Sequence, residues 1–319
     1  MQEAVNPEGN ALKAGVTIEN LTRAIERSGY PLQATVFELL KNDFFIQQEW
    51  GFRDRLTGDM RAIDLLATRD LNHRPALESR VRPTLRILIE CKQSEMPYIF
   101  FSPTRGAGQH RLPQLCGLRE DKVIIKTDDD RSSWHFSSMH ALGLTEEDFF
   151  KTHGYSIMSK CTRKGKELEL SGTDAYNGIV MPLMSAAAHF AEASKPSERA
   201  HWFDVYLVCA VAVVDAPMVA AVSGPEGIEL EMRPWCRLFR HEPDRPGAFM
   251  GHMGISSAID VVHKDFFREY LQNHLLPFAN EFSKRALRND EVLATGKAFA
   301  QGFRADSSAG IEGRLQPRD

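Results

Sequence analysis

Hydrophobic and polar positions change their spacing several times along the chain, and each change predicts a different element. In segment 17–28, Ile18, Leu21 and Ile25 recur at helical spacing, and Gly29 follows as a stop signal. A second helix is predicted from Pro31, because apolar residues recur on one helical face; they are Leu32, Val36, Phe37, Leu40 and Phe44. Both helices precede the first predicted strand.

The residues that follow have the spacing of strands. Segments 45–55 and 60–68 flank the turn Leu56-Thr57-Gly58-Asp59, which is typical of a hairpin. After a polar connection, segment 85–92 (LRILIECK) predicts a buried strand that ends abruptly in charged residues.

The second half of the chain alternates helices and strands. Thr173 is the predicted N-cap of a helix that reaches about Ala193, and segment 266–287 predicts a long amphipathic helix. Further strands are predicted at 98–101, 122–126, 168–170, 203–214, 228–239 and 259–262, whereas 149–160 fits either type of element. This alternation indicates a mixed α/β fold.

The composition indicates one ordinary globular domain. A chain of 319 residues with 43% hydrophobic residues can bury a full core. We predict a flexible tail over 1–16, a single domain over 17–288 and a disordered tail over 289–319. No apolar segment is long enough to span a bilayer, and the N-terminus lacks the features of a secretory signal, so we expect no membrane association and a cytoplasmic protein.

Charge and cysteine content exclude some classes of function. A net charge of −4 argues against non-specific coating of nucleic acid through overall charge, although local basic patches remain compatible with it. The five cysteines are scattered and never spaced as C-x-x-C, which argues against a disulfide framework or a zinc ribbon.

Charged residues interrupt two of the predicted apolar strands. Asp64 lies inside AIDLLA, and Glu90 and Lys92 follow the run ILI and project from one strand face. Charges beside buried strands are costly unless they pair or bind a metal, and a divalent cation relieves the repulsion between two carboxylates. A neighbouring lysine can orient or deprotonate water, so the set fits phosphodiester hydrolysis. The alternative is a salt bridge among these residues at an exposed strand end.

This set resembles the D-x(n)-E-x-K core of the PD-(D/E)XK nuclease superfamily. Asp64 is separated by 25 residues from Glu90-Cys91-Lys92, which lies on the next predicted strand (ILIECKQS). The resemblance implies that Asp64 and Glu90 bind Mg²⁺ or Mn²⁺ together with the backbone carbonyl of Cys91. It also implies that Lys92 acts on the attacking water.

The resemblance also implies a fold and a substrate. The fold would be α/β, with a restriction-endonuclease-like mixed β-sheet flanked by helices. Segments 173–193 and 203–214 would be the helix and the strand after the third core strand, and 94–170 an insertion between them. The substrate would be nucleic acid, DNA rather than RNA. Because two sites cut a duplex most easily, we also consider a homodimer or a partner protein.

One position departs from the family pattern. The family often has a glutamate near the start of the helix before the hairpin, where this chain has Gln33. Glu38 is the nearest acid, but it lies on the opposite helical side, so Gln33 is preferred and both stay candidates. Candidate substrate-binding residues are Gln93, Arg105 and His110, each of which could equally be an ordinary polar surface residue.

Two other hypotheses remain open from the sequence. The chain could have the nuclease fold without activity and serve as a nucleic-acid-binding or scaffold subunit. Alternatively, it could be an unrelated α/β protein whose acids are structural.

Overall fold

A large mixed β-sheet flanked by helices forms the body of the protein. The computed structural model describes residues 5–55, 57–71, 79–104, 114–120, 122–127, 133–152, 154–242, 255–300 and 315–317. The strands are β1 Phe45–Arg53, β2 Met60–Asp70, β3 Val81–Gln93, β4 Tyr98–Thr104, β5 Gln114–Cys116, β6 Lys122–Thr127, β7 Ser133–Ser137, β8 Gly154–Lys164, β9 Glu167–Ser171, β10 Phe203–Asp215, β11 Met218–Gly224, β12 Gly227–Met232, β13 Trp235–Glu242, β14 Ile255–His263, β15 Lys297–Ala300 and β16 Leu315–Pro317.

The helices pack around the sheets, and two of them are interrupted by π-helical segments. The α-helices are α1 Ile18–Glu26, α2 Tyr30–Leu40, α3 Ser138–Ala141, α4 Gly172–Ala175, α5 Met181–Ala193, α6 Phe267–Glu269, α7 Leu276–Arg288 and α8 Asp290–Thr295. Short 3₁₀ turns cover Leu144–Glu146, Asp148–Lys151 and Lys264–Phe266. Two π-helical segments, Tyr176–Val180 and Tyr270–Leu275, connect α4 to α5 and α6 to α7.

The large sheet has the order β1-β2-β3-β10-β14-β13-β8-β4-β11-β12. Strands β1, β2 and β3 form an antiparallel meander, whereas β10 and β14 are added parallel to β3. The remaining strands β5 and β9 pair with β10 and β8, and a separate small sheet has the order β16-β15-β6-β7. The parallel step from β3 to β10 needs a crossover connection, and α5 lies within it.

Both faces of the large sheet are covered by buried apolar side chains. On one face, residues of α2 and α7 pack against β3 and β10, as with Val36 and Phe282. On the other face, residues of α5 such as Leu183 and Phe190 pack against Leu88 and Ala212. A strand between two covered faces should be apolar nearly throughout, which explains why β3 and β10 were visible in the sequence.

Most of the predicted elements in the first half are confirmed. The two helices appear as α1 and α2, the hairpin as β1 and β2, and the apolar segment 85–92 as part of β3. The ambiguous segment 149–160 contains a 3₁₀ turn followed by the start of β8. Of the predicted insertion 94–170, strands β4, β5, β8 and β9 belong to the large sheet.

Two predictions in the second half are corrected, and one strand was missed. The N-cap of the helix near Thr173 is Ser171, whose hydroxyl accepts from the Asp174 amide. The strand predicted over 228–239 is two strands, β12 and β13, because the chain turns at Pro234, which has no N–H for a strand ladder. Strand β11 was not predicted: small residues dilute the apolar pattern of MVAAVSG.

The prediction of a disordered tail over 289–319 is wrong for residues 290–300 and for 315–317, which form α8, β15 and β16. Helix α8 buries Val292, Leu293 and Ala294, and β15 pairs parallel to β6 and buries Ala298 and Ala300. Alanine contributes little to a hydrophobic pattern, yet it packs well in a narrow space beside a strand. At the other end, residues 5–17 form no helix or strand. Within the described ranges, none of the helices is both long and apolar enough to cross a membrane.

Candidate active site

The antiparallel ladder between β2 and β3 stops at a fork where the predicted acids meet. The last backbone pair is Leu65 with Ile89, so the next positions of the two strands are Asp64 and Glu90. Beyond this pair a side chain replaces the backbone partner: Asp64 Oδ2 accepts a hydrogen bond of 2.6 Å from the Cys91 amide. The fork therefore brings together three consecutive β3 residues, Glu90, Cys91 and Lys92, with Asp64.

Glu90 is a buried carboxyl group with one free oxygen. It is 6% exposed, because β3 runs in the middle of the sheet and Glu90 lies beside Ala212 of β10. Its Oε1 lies 2.6 Å from Lys92 Nζ. Its Oε2 is buried and has no hydrogen-bond partner among the residues that the structure describes. A buried carboxylate oxygen without a partner is costly, and such an orphan is a place where a ligand can bind.

The pKa values of both acids are raised. Burial is the largest cause of the raised pKa of Glu90, which reaches about 7; the charge of Asp64 adds to it and Lys92 opposes it. Burial is also the largest cause of the raised pKa of Asp64. The hydrogen bond from the Cys91 amide and the charge of Lys92 lower this pKa, and the charge of Glu49 raises it by a smaller amount. Two close carboxyl groups with raised pKa values mark a site that would gain from a positive charge.

Lys92 is a half-buried cation between the two acids. Burial by itself lowers the pKa of Lys92, but Glu90 and then Asp64 outweigh it, so that its pKa is raised. The ammonium group is therefore a hydrogen-bond donor at neutral pH, and it can hold an anion or orient a water molecule. It does not remove a proton from water in this arrangement.

Gln33 lies at the same site and Glu38 does not. Gln33 is 6% exposed, and its amide nitrogen donates to the Asp64 carbonyl oxygen at 3.1 Å and to Glu49 Oε1 at 3.2 Å. Glu38 is exposed and pairs with Lys41 one turn further along α2. Of the two candidates for the upstream position, the structure brings Gln33 to the fork, as its helical face predicts.

The other predicted residues are placed as follows. An added Cβ at Gly29, the N-cap of α2, would lie 3.7 Å from the Cys91 carbonyl oxygen, so this oxygen faces the start of α2. The side-chain amide of Gln93 is oriented with its nitrogen towards two carbonyl oxygens at the end of α1. In this orientation the nitrogen donates to the carbonyl oxygens of Glu26 and Ser28. Substrate binding by Gln93 stays a prediction. Arg105 and His110 lie outside the described residues.

Glu49 was missed in the sequence and lies next to Asp64. The β1–β2 register pairs Gln48 with Leu65 and Trp50 with Ile63, which leaves Glu49 opposite Asp64. Glu49 has φ of +49°, and among the described residues it is the single non-glycine with positive φ. A hairpin register counted from the turn would have found it, because Glu49 and Asp64 are equally far from the turn centre.

The strands bend at this point. Ile63 packs with the cluster that includes α5, whereas Leu65 packs with the cluster that includes α2. Residues two apart on a regular strand share a face, so the change of face shows a local break in the pleat at Asp64. A left-handed glutamate in a strand is strained, and such strain is concentrated at functional sites.

A second buried ionic cluster lies in the same sheet. Arg237 of β13 forms a bidentate pair with Asp260 of β14 at 2.7 and 2.9 Å, and Tyr270 donates to Asp260 at 2.8 Å. Arg237 also donates to the Phe149 carbonyl oxygen and lies 4.4 Å from the Phe149 ring centre. All polar atoms of this pair are used internally, which makes it a structural network.

Neither geometry nor comparison identifies a metal site or a family. Within the described ranges, no three His, Cys, Asp or Glu side chains stand close enough together to hold a metal ion as they are placed. No protein-family model, curated protein or solved structure matches the chain.

Proposed function

We propose that this protein is a metal-dependent nuclease of the PD-(D/E)XK type, which hydrolyses phosphodiester bonds in DNA rather than RNA. The observation that carries the proposal is the fork: Asp64, Glu90 and Lys92 meet there, and Glu90 Oε2 is buried without a partner. An exposed strand end with a surface salt bridge would leave these carboxylates accessible to solvent, and Glu90 is buried.

The order of elements supports the same proposal. Helix α2 precedes the meander β1-β2-β3, and α5 leads to β10, which lies parallel to β3. The resemblance to the nuclease family implies this succession of one helix, three strands, a second helix and a fourth strand. Large mixed sheets serve many activities, so the proposal rests on the site more than on the topology.

Two carboxyl groups at the fork are available to a divalent cation, although among the described residues no three His, Cys, Asp or Glu side chains are gathered as a set. Oxygen ligands suit Mg²⁺, and the candidates are Asp64, Glu90 Oε2 and the Cys91 carbonyl oxygen. Burial is the main cause of the raised pKa of both acids, and a further positive charge beside them would lower both pKa values. A bound Mg²⁺ or Mn²⁺ would supply that charge, lower the pKa of water and neutralise a phosphate.

Each residue then has a definite part in hydrolysis. The oxygen of water forms a bond to phosphorus and loses a proton to solvent, while the bond to the leaving sugar oxygen breaks and that oxygen gains a proton from solvent. Asp64 and Glu90 would hold the cation, while Lys92, kept protonated by both, would orient the water or stabilise charge on the phosphate. Gln33 donates a hydrogen bond to the Asp64 carbonyl oxygen and so holds the Asp64 backbone in place.

The test is cleavage of supercoiled plasmid, single-stranded DNA and RNA with Mg²⁺, Mn²⁺ or EDTA. We expect metal-dependent cleavage of DNA that falls at least about 100-fold in Glu90→Gln and in Lys92→Met. The control is Glu226→Gln in the exposed turn between β11 and β12, at the other edge of the sheet. Cleavage that survives both substitutions would place the active site elsewhere.

A second candidate is a nuclease fold without activity, acting as a nucleic-acid-binding or scaffold subunit. Two observations favour it: the acids are not gathered as a set of three, and an amide occupies the helical position where the family often has an acid. This candidate predicts that wild type and Lys92→Met bind DNA equally well. It also predicts that neither protein cleaves DNA with any metal. Fluorescence anisotropy with labelled DNA beside the cleavage assay separates the two candidates.

A further inference from the structure

The half of the large sheet that lies away from β1 has one face without a covering layer. Its strands are β8, β4, β11 and β12. Tyr98, Phe100 and Met218 point to the face on which α5 packs, and they are buried there. Ile99 and Val219 point to the opposite face, because side chains alternate along a strand. In the part of the chain that the structure describes, neither belongs to a buried cluster.

Apolar side chains of neighbouring strands line up on this open face. Directly paired residues of two strands lie on the same face of a sheet. Met232 of β12 pairs with Val219 of β11, and Val219 pairs with Ile99 of β4. Leu230 lies two residues from Met232 along β12 and therefore points to the same face. The open face is apolar across three neighbouring strands.

A sheet face in contact with water normally carries polar side chains. Here Ile228, Leu230 and Met232 are each more than two-thirds exposed, and Ile157 of β8, which pairs with Phe101 of β4, is nearly half exposed. We define the apolar face by its six larger side chains: Ile99, Phe101, Ile157, Ile228, Leu230 and Met232. Their exposed surface is on the order of 600 Å², the upper end of the largest apolar patch on a typical monomer.

The charged residues of β12 lie on the other side of the strand. Glu229 and Glu231 alternate with the exposed apolar residues, and Glu231 forms an ion pair with Arg233. Because the apolar face carries no charge, two copies of it can meet without repulsion. Pairing of the two β12 edges is less favourable. Centred on Leu230, it would bring glutamates of the two copies directly opposite each other.

We propose that the apolar face is the interface of a homodimer, in which the sheets of two copies pack face to face. Stacked sheets lie ~10 Å apart and interdigitate their side chains. A two-fold axis lets the same patch serve both copies and closes the assembly at two. The two copies together would bury on the order of 1,200 Å² of apolar side chain, which is the lower limit of a stable interface.

This interface is independent of the proposed nuclease activity. The fork lies on β2 and β3, and β10, β14 and β13 separate it from β8 in the sheet. Substitutions in the apolar face therefore leave the residues of the fork unchanged. In the dimer both forks lie away from the interface and stay open to substrate.

The test is sedimentation velocity of the full chain over a wide range of protein concentration. We expect a species of twice the 36.0 kDa chain mass that dissociates on dilution. Leu230→Lys should raise the dissociation constant of the dimer at least about tenfold, because it buries a charge in the interface. The matched control is Glu229→Gln, on the other face of the same strand, which should stay within about twofold of wild type.

Three results would overturn the proposal. A wild type that is monomeric at every concentration has no such interface. A dimer that is unchanged in Leu230→Lys uses another surface. A dimer that tightens in Glu229→Gln is formed by the strand edges. Urea unfolding checks the fold of each variant, and Met232→Lys, also on the exposed apolar face, provides a second disrupting substitution.

Discussion

Glu90→Gln replaces a buried carboxyl group by a neutral amide of nearly the same shape, and we expect it to stabilise the metal-free protein at pH 8. In the folded protein the pKa of Glu90 is raised from 4.5 to about 7, chiefly by burial. Below pH 4.5 both the folded and the unfolded chain hold the proton. Between these values the folded chain keeps the proton while the unfolded chain loses it, so stability falls as pH rises.

The size of the effect follows from the pKa. One pKa unit corresponds to about 1.4 kcal/mol, so ionising Glu90 in the fold costs about 3 kcal/mol by pH 8. The amide carries no charge and avoids this cost. Lys92 loses its partner in the variant, but it is half-buried and remains beside Asp64.

The assay is urea unfolding in EDTA at several values between about pH 5 and pH 8. We expect the free energy of unfolding of Glu90→Gln to exceed that of wild type at pH 8, with the difference shrinking towards pH 5. Glu226→Gln should follow the wild-type profile within about 0.5 kcal/mol. Parallel profiles for wild type and Glu90→Gln, or a less stable variant at pH 8, would refute the assigned burial of the charge.

Three further predictions follow from the same structure. Saturating Mn²⁺ should raise the melting temperature more at pH 8 than at pH 5.5, because the Glu90 proton must leave first; equal shifts would contradict this. Asp260→Ala leaves Arg237 buried without its partner, so the free energy of unfolding in urea should fall by about 3–5 kcal/mol. A fall of less than about 1 kcal/mol would show that the pair is not buried. Gly117 and Gly58 have φ of +79° and +77°, but an added Cβ meets a carbonyl oxygen at 2.2 Å at Gly117 and nothing at Gly58. Gly117→Ala should therefore be less stable than Gly58→Ala by at least about 2 kcal/mol in the same assay, and equal losses would count against the close contact.

The hairpin and the buried strands were predictable because local patterns decide them. Strand β10 and the run Ile87-Leu88-Ile89 of β3 lie between two covered faces and are almost entirely apolar, and such runs stand out in any sequence. Glu90 and Lys92 directly follow the apolar run Ile87-Leu88-Ile89 within β3, which made the candidate site visible without coordinates. The helical face of Gln33 likewise follows from a period of 3.6 residues.

Other features depend on contacts between distant segments. The segment 290–300 is short and rich in small residues, and it becomes ordered because β15 pairs with β6, more than 160 residues earlier. Strand β11 pairs with β4 and β12 in the same way. A short strand of small residues has little intrinsic preference, so its partners determine its structure.

The site itself was determined in two stages. The sequence by itself determined which residues carry the charges and that Glu90 and Lys92 share a strand face, because both follow from the local period of the chain. The tertiary structure alone decided that Asp64 bonds to the Cys91 amide, that Glu90 Oε2 is left without a partner and that Glu49 is held by Gln33. These contacts depend on where the β2–β3 ladder ends and on how α2 packs over it, and both are set by burial across the whole sheet.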